Sequence, residues 1–207
     1  FRATCGGMGL TGVILNATIN LKKVASVFIN QKTRVARNLS ECMDIFDASE
    51  ECEYSVAWLD AQAQGEHRGR SLIHTGNHSK KGGCQPVLRR EQYIPLIASS
   101  KLLNRYSIKL FNELLYQSKV IRRKSKQVSY ESYFFPLDGI KNWNLIYGSK
   151  GFIQYQFVVP IDCALEAITV VLERISDSGT APTLSVLKKF VTGNDNYLSF
   201  PRAGYTL

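Results

Sequence analysis

This 207-residue sequence has one lysine on an otherwise apolar face of a predicted strand, a position from which a side chain could take part in a reaction. Residues 184–190 alternate like a strand, and Lys188 shares one face with Leu184, Val186 and Phe190. A desolvated lysine in a cleft can stabilise an anionic group or a developing negative charge. A lysine at a sheet edge, with its ammonium group in solvent, is the simpler alternative.

Two glutamines form a second unusual pair, in a strand predicted over residues 152–160. Gln154 and Gln156 share one face of this strand, which ends at Pro160 because proline cannot donate to a ladder. Buried amides are costly unless they find hydrogen-bond partners. Either this face is open to water, or the two amides hold the hydroxyl groups of a polyhydroxylated ligand in a cleft.

A glycine-rich stretch near the start has the spacing G-x-G-x-x-G at Gly7, Gly9 and Gly12. A dinucleotide-binding turn of the Rossmann type needs a strand before these glycines and a helix after them. Only six residues precede Gly7, and the β-branched residues that follow predict a strand over residues 13–21. The Rossmann interpretation therefore fails, and a tight turn whose backbone can approach a ligand remains.

The histidines and cysteines lack the spacing of a metal site. His74 and His78 are four residues apart, but Thr75-Gly76-Asn77 between them predicts a turn rather than a helix, and His67 lies further away. The five cysteines include no C-x-x-C pair, so we expect reduced thiols and no metal.

Positive charge is concentrated in one part of a chain whose net charge is +9. Residues 80–126, the basic segment, contain twelve lysines and arginines and only two glutamates. Such a segment attracts phosphates, anionic lipid or nucleic acid. A solvated basic loop with no dedicated partner is the alternative.

The elements that must position these side chains follow from hydrophobic periodicity. We predict strands over residues 13–21, 25–30, 54–60, 70–75, 152–160 and 184–190. We predict helices over residues 39–47, with a capping box at Asn38 and Glu41, over 107–117, and after an N-cap at Asp162. The apolar face of the middle helix is predicted to comprise Ile108, Phe111, Leu114 and Leu115.

This order of elements predicts an α+β fold, with an antiparallel or mixed sheet and helices packed on one face. The repeated β-α-β-α units of a doubly wound sheet are missing. Residues 78–100 lack clear periodicity and are predicted to form a long excursion from the core.

Several segments carry a family resemblance, in one order along nearly the whole chain outside the basic segment. They are Gly6-Gly7-Met8-Gly9-Leu10-Thr11-Gly12-Val13-Ile14-Leu15, Tyr54-Ser55-Val56-Ala57-Trp58-Leu59-Asp60-Ala61, Pro136-Leu137-Asp138, Trp143-Asn144, Tyr147-Gly148, Gly151-Phe152-Ile153-Gln154-Tyr155-Gln156-Phe157 and Leu198-Ser199-Phe200-Pro201. Together they resemble the FAD-dependent oxidases of the vanillyl-alcohol oxidase superfamily, in particular the decaprenylphosphoryl-β-D-ribose 2′-oxidase branch.

The resemblance implies a flavin-binding domain, built from both ends of a longer polypeptide, around a central substrate domain. Residues 1–21 would end the first flavin-binding segment, and residues 22–207 would form the substrate-binding domain with a basic excursion over residues 78–128. We therefore expect both ends of the chain to be cut from something longer. We also expect FAD in the full-length parent, and an isolated chain that lacks most flavin contacts and is inactive.

The resemblance also implies site residues. Gly7, Gly9, Gly12 and Ile14 would contact FAD, and Lys188 would act in catalysis. The substrate pocket would include Trp58, Gln154, Gln156, Leu184, Val186 and Phe190. In the implied reaction a sugar hydroxyl loses a proton while its carbon gives a hydride to flavin; the glutamines hold hydroxyls and Lys188 stabilises charge on the oxygen.

The implied substrate is a sugar, in particular a pentose carried on polyprenyl phosphate, used in cell wall biosynthesis. The resemblance also implies a partner reductase and a peripheral membrane contact through the basic segment. It implies no nucleic acid as a binding partner. The implied location is cytoplasmic, with membrane association.

Two positions depart from the family pattern and keep alternatives open. Phe134 stands where members often have tyrosine, and Thr206 where they often have asparagine. The exact sugar is therefore open, and a member that has lost catalysis is one alternative. Another is a nucleic-acid or anionic-surface binding module that uses the basic segment, with Tyr106, Tyr116 and Tyr130 for stacking.

Overall fold

A computed structural model describes residues 1–85, 87, 91–94, 103–121, 125–149 and 151–207. Its strands are β1 (Phe28–Ala36), β2 (Tyr54–Leu59), β3 (Ser71–His78), β4 (Gln92–Tyr93), β5 (Ser125–Ser129), β6 (Ile140–Lys141), β7 (Val158–Pro160), β8 (Val186–Phe190) and β9 (Gly204–Thr206). Its α-helices are α1 (Leu39–Asp47), α2 (Arg105–Ile121), α3 (Tyr130–Phe134) and α4 (Ala164–Asp177).

Seven strands form one sheet in the order β5-β1-β3-β2-β8-β9-β7, and each neighbouring pair is antiparallel. The short strands β4 and β6 form a separate parallel pair. The predicted α+β class with an antiparallel sheet is confirmed. β1, β3 and β2 lie side by side at its centre, whereas β8, β9 and β7 bring distant parts of the chain to one end.

The main core lies between one face of the sheet and the helices α1 and α4. Side chains at alternate strand positions, such as Ala57, Ile73 and Leu187, pack there against Phe46 of α1 and Ile168 of α4. Alternation along a strand sends every second side chain to the same face, so the neighbours of these residues point to the opposite face. That opposite face is called the open face below.

Helix α1 begins where its local sequence predicts. Asn38 accepts a hydrogen bond from the Glu41 backbone N–H through its side chain. Glu41 Oε2 in turn accepts from the Arg37 backbone N–H, one residue earlier than a standard capping box requires. The Glu41 N–H, which the helix itself cannot satisfy, and the Arg37 N–H just before the helix are thereby both paired.

Helix α2 is longer than predicted and buries a different side. Ile108, Asn112 and Tyr116 are its buried residues, whereas Phe111 and Leu114 are 59% and 62% exposed. The predicted apolar face was therefore wrong at two of its four positions. Polar contacts with the sheet, described below, fix the orientation of the helix instead.

Two predicted strands are wrong in whole or in part. Residues 13–21 form no strand and are exposed, because a strand is stabilised by a hydrogen-bonded neighbour and no such neighbour lies beside them within the described residues. Of residues 152–160 only Val158–Pro160 is a strand, and the preceding residues 152–156 are exposed and irregular. The strand predicted over 25–30 instead runs over Phe28–Ala36.

The start of α4 also differs from the prediction. A short 3-10 turn, Ile161–Cys163, precedes the helix, so Asp162 lies in that turn and Cys163 is at the N-cap position, where it makes no side-chain cap bond. Helical periodicity at Leu165, Ile168, Val171, Leu172 and Ile175 predicts this helix, and in the structure Ile168 and Leu172 are fully buried whereas Leu165 is 46% exposed. Hydrophobic periodicity, rather than the cap, identified this helix.

Part of the predicted excursion over residues 78–100 lies outside the described residues, as do Arg89, Arg90, Lys101, Arg122, Arg123 and Lys124 of the basic segment. Among the described residues, no helix has both the length and the apolar composition needed to cross a bilayer.

Candidate functional site

The register of four strands brings several predicted site residues to the open face. Trp58 on β2 stands opposite Val186 on β8, and Lys188 stands opposite Thr206 on β9. Thr206 in turn stands opposite Val158 on β7. Because directly paired residues share a face, these side chains all project to the side away from the α1 and α4 core.

Gln156 joins this group through a hydrogen bond. Its Nε2 donates to Oγ1 of Thr206 over 3.2 Å, and Thr206 is buried. Gln156 and Thr206 are fifty residues apart in sequence. Gln154 lies two residues earlier in the exposed irregular segment. Of the two predicted glutamines, the structure therefore brings only Gln156 next to the paired strands.

Two consecutive lysines on β8 have opposite surroundings. Lys188 is exposed on the open face. Lys189 reaches the other side, where Nζ pairs with Asp47 Oδ1 at 2.7 Å and with Glu50 Oε1 at 2.5 Å. Burial lowers the pKa of Lys189, but hydrogen bonds with these two carboxylates outweigh it, and the net pKa is raised. Lys188 is therefore the lysine of this strand that faces the candidate site.

The apolar residues predicted for the pocket lie along β8. Val186 and Phe190 are half-buried, and Leu184, just before the strand, is 52% exposed. Phe190 contacts Phe200 edge to face, with ring centroids 6.0 Å apart. Together with half-buried Trp58 on β2, they form the apolar part of the open face around Lys188.

An aromatic cluster beside Leu184 was not assigned a role by sequence reasoning. Tyr147 and Phe152 stack at 4.5 Å between centroids, and Trp143 lies 5.4 Å from Phe152. Tyr147 Oη is 3.1 Å from Oγ1 of Thr183, the neighbour of Leu184. The run of aromatic residues between 143 and 152 is visible in the sequence. Its proximity to Leu184 is not, because the two segments are distant along the chain.

The glycine-rich stretch lies elsewhere, against the loop between β8 and β9. Arg2 donates to the carbonyl of Asp195, and Tyr197 N–H donates to the carbonyl of Arg2 at 3.3 Å. A Cβ on Gly6 would meet the backbone of Ser199 and Leu198 at 3.0–3.1 Å. The described contacts of this segment are thus with the loop rather than with Lys188 or Gln156.

The predicted flavin contacts belong to this separate segment. Gly7 is buried in a tight turn, whereas Gly9 and Gly12 have positive φ angles of 76° and 136° and open space where a side chain would begin. Ile14 follows in the extended residues and is 66% exposed. The structure therefore separates the predicted flavin residues from the sheet-face residues into two groups.

A buried ionic network anchors α2 to the sheet. Arg70 donates to Asp60 Oδ2 from Nε at 2.9 Å and from Nη2 at 2.7 Å, and Asn112 donates to Asp60 Oδ1 at 2.8 Å. Arg70 also pairs with Glu113 at 2.8 Å. Burial alone would lower the pKa of Arg70, but these carboxylates raise it overall. Sequence reasoning missed this network, whose members are distributed over residues 60–113.

His74 lies inside the sheet on the open-face side. Gln31 Nε2 donates to its Nδ1 at 2.8 Å, and the Thr33 hydroxyl lies 2.9 Å from the same atom. Burial, helped by the charges of Lys119 and Lys126, lowers the pKa of His74 to about 4. In the part of the chain that the structure describes, no three histidine, cysteine or acidic side chains are grouped as metal ligands would be.

The opposite side of the sheet has an acidic groove of about 610 Å³ between α1 and α4. Asp162, Glu166 and Glu173 line it, together with Lys189 and Tyr205. Burial, followed by the charge of Asp47, raises the pKa of Tyr205. None of the predicted site residues lines this groove, so it is distinct from the open-face group.

Comparison with known proteins tests the family resemblance directly. The chain is 33% identical, over its whole length, to the decaprenylphosphoryl-β-D-ribose oxidase of Mycolicibacterium smegmatis. The predicted resemblance is confirmed. The chain spans about half of that oxidase, 47% of its length. It is also 27% identical over its whole length to an uncharacterised protein from the mprA 5′ region of Streptomyces coelicolor, of which it spans 60%. No family model matches the chain.

The alignment with the oxidase spans both groups of predicted residues, because it covers the entire chain. It therefore includes the glycine-rich stretch, β2, β8 and the residues before β7. The uncharacterised Streptomyces protein supplies no activity to compare. Roles for individual residues rest on the geometry described above.

Proposed function

We propose that this chain forms the substrate-binding part of an FAD-dependent oxidoreductase. The whole enzyme would oxidise a hydroxyl group of a pentose attached to polyprenyl phosphate, by hydride transfer to the flavin. The similarity to an oxidase of decaprenylphosphoryl-β-D-ribose supports this class of reaction and substrate. The observation that carries the proposal within this chain is that Gln156, Lys188, Trp58 and Val186 share one sheet face.

Gln156 would hold a sugar hydroxyl. An amide side chain has two N–H donors and one carbonyl acceptor. One N–H is directed to Thr206, which leaves the carbonyl oxygen and the second N–H for the ligand. Fixing the amide in this way also fixes which end can accept a hydrogen bond and which can donate one.

Lys188 would act on the same sugar oxygen or its neighbour. Its ammonium group has three donors, and the residue stands opposite Thr206, the partner of Gln156. When the hydroxyl loses its proton, a positive charge beside the oxygen stabilises the negative charge that develops there. Exposure of Lys188 in this chain is compatible with the role, provided that the bound substrate covers it.

The apolar side chains around Lys188 would shape the site. Trp58, Val186, Leu184 and Phe190 present apolar surface that fits the C–H face of a sugar and the first carbons of a polyprenyl chain. Covering this surface removes water from around the lysine and strengthens its electrostatic effect. Gln154 would contribute a further amide from the segment before β7.

The glycine-rich stretch fits a bound flavin. Open space beside Gly9 and Gly12 allows close approach of a ligand, and the exposed extended backbone that includes Ile14 can lie along one. FAD bound there would supply the hydride acceptor. Because these residues provide few contacts for so large a cofactor, the isolated chain would bind FAD weakly and would be inactive.

Phe134 favours a second candidate, an oxidase relative that has lost catalysis. Its ring packs edge-on against Tyr54 at 4.8 Å and Tyr133 at 5.0 Å, on β2 and α3. It has no hydroxyl group to direct at a substrate. In the proposed oxidase its role is packing, and the polar contacts come from Gln156 and Lys188.

The whole enzyme would use further partners. A reductase would receive electrons from the reduced flavin, and a peripheral membrane contact would give access to the polyprenyl substrate. A cytoplasmic location would suit both.

Anaerobic reduction of the full-length protein that contains this chain tests the proposal. The purified protein should show flavin absorption, and decaprenylphosphoryl-β-D-ribose should bleach it. A protein that stays colourless after incubation with FAD would contradict the proposal. Bound flavin that no sugar substrate reduces would instead favour the inactive relative.

A further inference from the structure

Helix α2 presents an apolar stripe to solvent. Tyr106, Leu110, Leu114 and Ile121 are 76%, 61%, 62% and 81% exposed. Their spacings of four, four and seven residues place them along one side of the helix, with Phe111 next to them. Over 17 residues the helix is about 25 Å long; the apolar surface runs from Tyr106 to Leu114, and the exposed Gln117 separates it from Ile121 on the same side.

Polar contacts fix α2 to the protein. Asn112 donates to Asp60, Glu113 pairs with Arg70, and the Tyr116 hydroxyl donates to the Ala36 carbonyl at 3.1 Å. An ordinary surface helix buries its apolar stripe and exposes its polar side. In α2 the polar contacts hold the helix so that its main apolar stripe faces outward.

Positive charge lies beside the stripe. Arg105, Lys109 and Lys119 of α2 flank it along one side. Glu113, the acidic residue of the helix, is already paired with Arg70. Apolar side chains flanked by cations are the chemistry of a helix that lies at the surface of an anionic membrane.

We infer that α2 is the surface through which this protein docks on an anionic lipid bilayer, with its apolar stripe at the boundary of headgroups and acyl chains. The inference rests on the proposed function, since a polyprenyl-phosphate substrate remains in the membrane. α2 contacts β1 and β3, and its Lys119 is close enough to His74 to lower the pKa of that open-face side chain. Docking through α2 would therefore bring the open face, with Lys188, towards the lipid.

Vesicle binding by the full-length protein tests this inference. Co-sedimentation is measured with vesicles of phosphatidylcholine alone and with vesicles that contain about 30% of the anionic lipid phosphatidylglycerol. The test variant is Leu110→Gln/Leu114→Gln. The matched control is Leu165→Gln/Val170→Gln, which changes two apolar residues of α4 that are 46% and 47% exposed on the other side of the sheet.

The expected result is binding to the anionic vesicles that weakens with salt, a loss of at least about tenfold in the α2 variant, and unchanged binding in the α4 control. Equal binding by both variants, or no preference for anionic vesicles, would overturn the inference. A wild-type protein that is dimeric and becomes monomeric in the α2 variant would also overturn it. So would an affinity for single-stranded DNA that exceeds the affinity for vesicles.

Oxidation of a short-chain, water-soluble substrate separates this inference from the proposed function. The α2 variant should oxidise it at the wild-type rate, because α2 does not contribute to the chemistry. A protein that binds vesicles through α2 but contains no flavin would contradict the proposed function and support the docking surface. An active enzyme that binds no vesicles would support the proposed function and contradict the docking surface.

Discussion

Gln156 and Thr206 are joined across two strand ends by a hydrogen bond of 3.2 Å, from the amide Nε2 to the hydroxyl Oγ1. Thr206 is 1% exposed and stands opposite Lys188. A buried hydroxyl on the residue opposite the proposed catalytic lysine thus holds the Gln156 amide. This hydrogen bond can be removed with little change in the volume of the side chain.

Replacing Thr206 with valine in the full-length enzyme should raise KM for the sugar substrate by about fivefold, which corresponds to about 1 kcal/mol for one hydrogen bond. The amide would then rotate freely and lose its orientation towards the substrate. Thr206→Ser keeps the hydroxyl and should restore KM. Steady-state kinetics of the two variants check this, and equal KM values would show that the hydrogen bond has no role in binding.

Removing Asp60 should strongly destabilise the protein. Asp60 is 1% exposed and accepts hydrogen bonds from Arg70, Asn112 and the Gln62 backbone. Asp60→Ala leaves these buried donors without an acceptor and should cost about 3–5 kcal/mol of the free energy of unfolding, measured with urea.

Glu91→Gln is the control for the Asp60 variant. Glu91 pairs with Lys141 at 2.6 Å, but both side chains are about half exposed. An exposed ion pair contributes about 1 kcal/mol or less. Similar losses in the two variants would mean that burial of the Asp60 network has no special effect on stability.

Stability should fall in mildly acidic solution because of His74. Its pKa is lowered from 6.5 to about 4 in the folded protein, first by burial and then by Lys119 and Lys126. Above pH 6.5 the ring is neutral in both states. As the pH falls towards 4, the unfolded chain gains a proton that the folded chain does not, so up to about 3 kcal/mol is lost.

The pH dependence of His74→Gln isolates this effect, because glutamine does not titrate. Urea unfolding of both proteins is measured between pH 7 and pH 5, a range in which few carboxylates titrate. The free energy of unfolding should fall more steeply with decreasing pH in the wild type. Parallel curves would show that the wild-type histidine is not held neutral by the fold.

Local signals in the sequence predicted the elements whose stability is local. The capping residues Asn38 and Glu41 gave the start of α1 correctly, and alternation over residues 184–190 placed Lys188 on one face with Val186 and Phe190. Each of these depends on neighbours within about four residues. The stripe of α4 was predicted for the same reason.

Features that depend on distant partners could not be predicted. The β-branched residues 13–21 have strand propensity, but propensity does not form a strand without a paired neighbour. Phe111 and Leu114 followed helical spacing, yet the contacts of Asn112 and Glu113 with Asp60 and Arg70 turn them outward. The Gln156–Thr206 bond joins residues fifty positions apart, so only the β7–β9 pairing reveals it.

The central claim is that Lys188, on the open face, serves the oxidation, whereas its neighbour Lys189 serves stability. The test compares Lys188→Met with Lys189→Met in the full-length protein, with flavin content measured by absorbance and turnover by substrate-dependent flavin reduction. We predict that Lys188→Met retains flavin and loses at least about a hundredfold in the rate of reduction, typical of removing one charge-stabilising group. Lys189→Met should keep the rate but unfold at a lower temperature, because Asp47 and Glu50 lose their partner. Equal rates of flavin reduction in the Lys188 variant and the wild type would contradict the account.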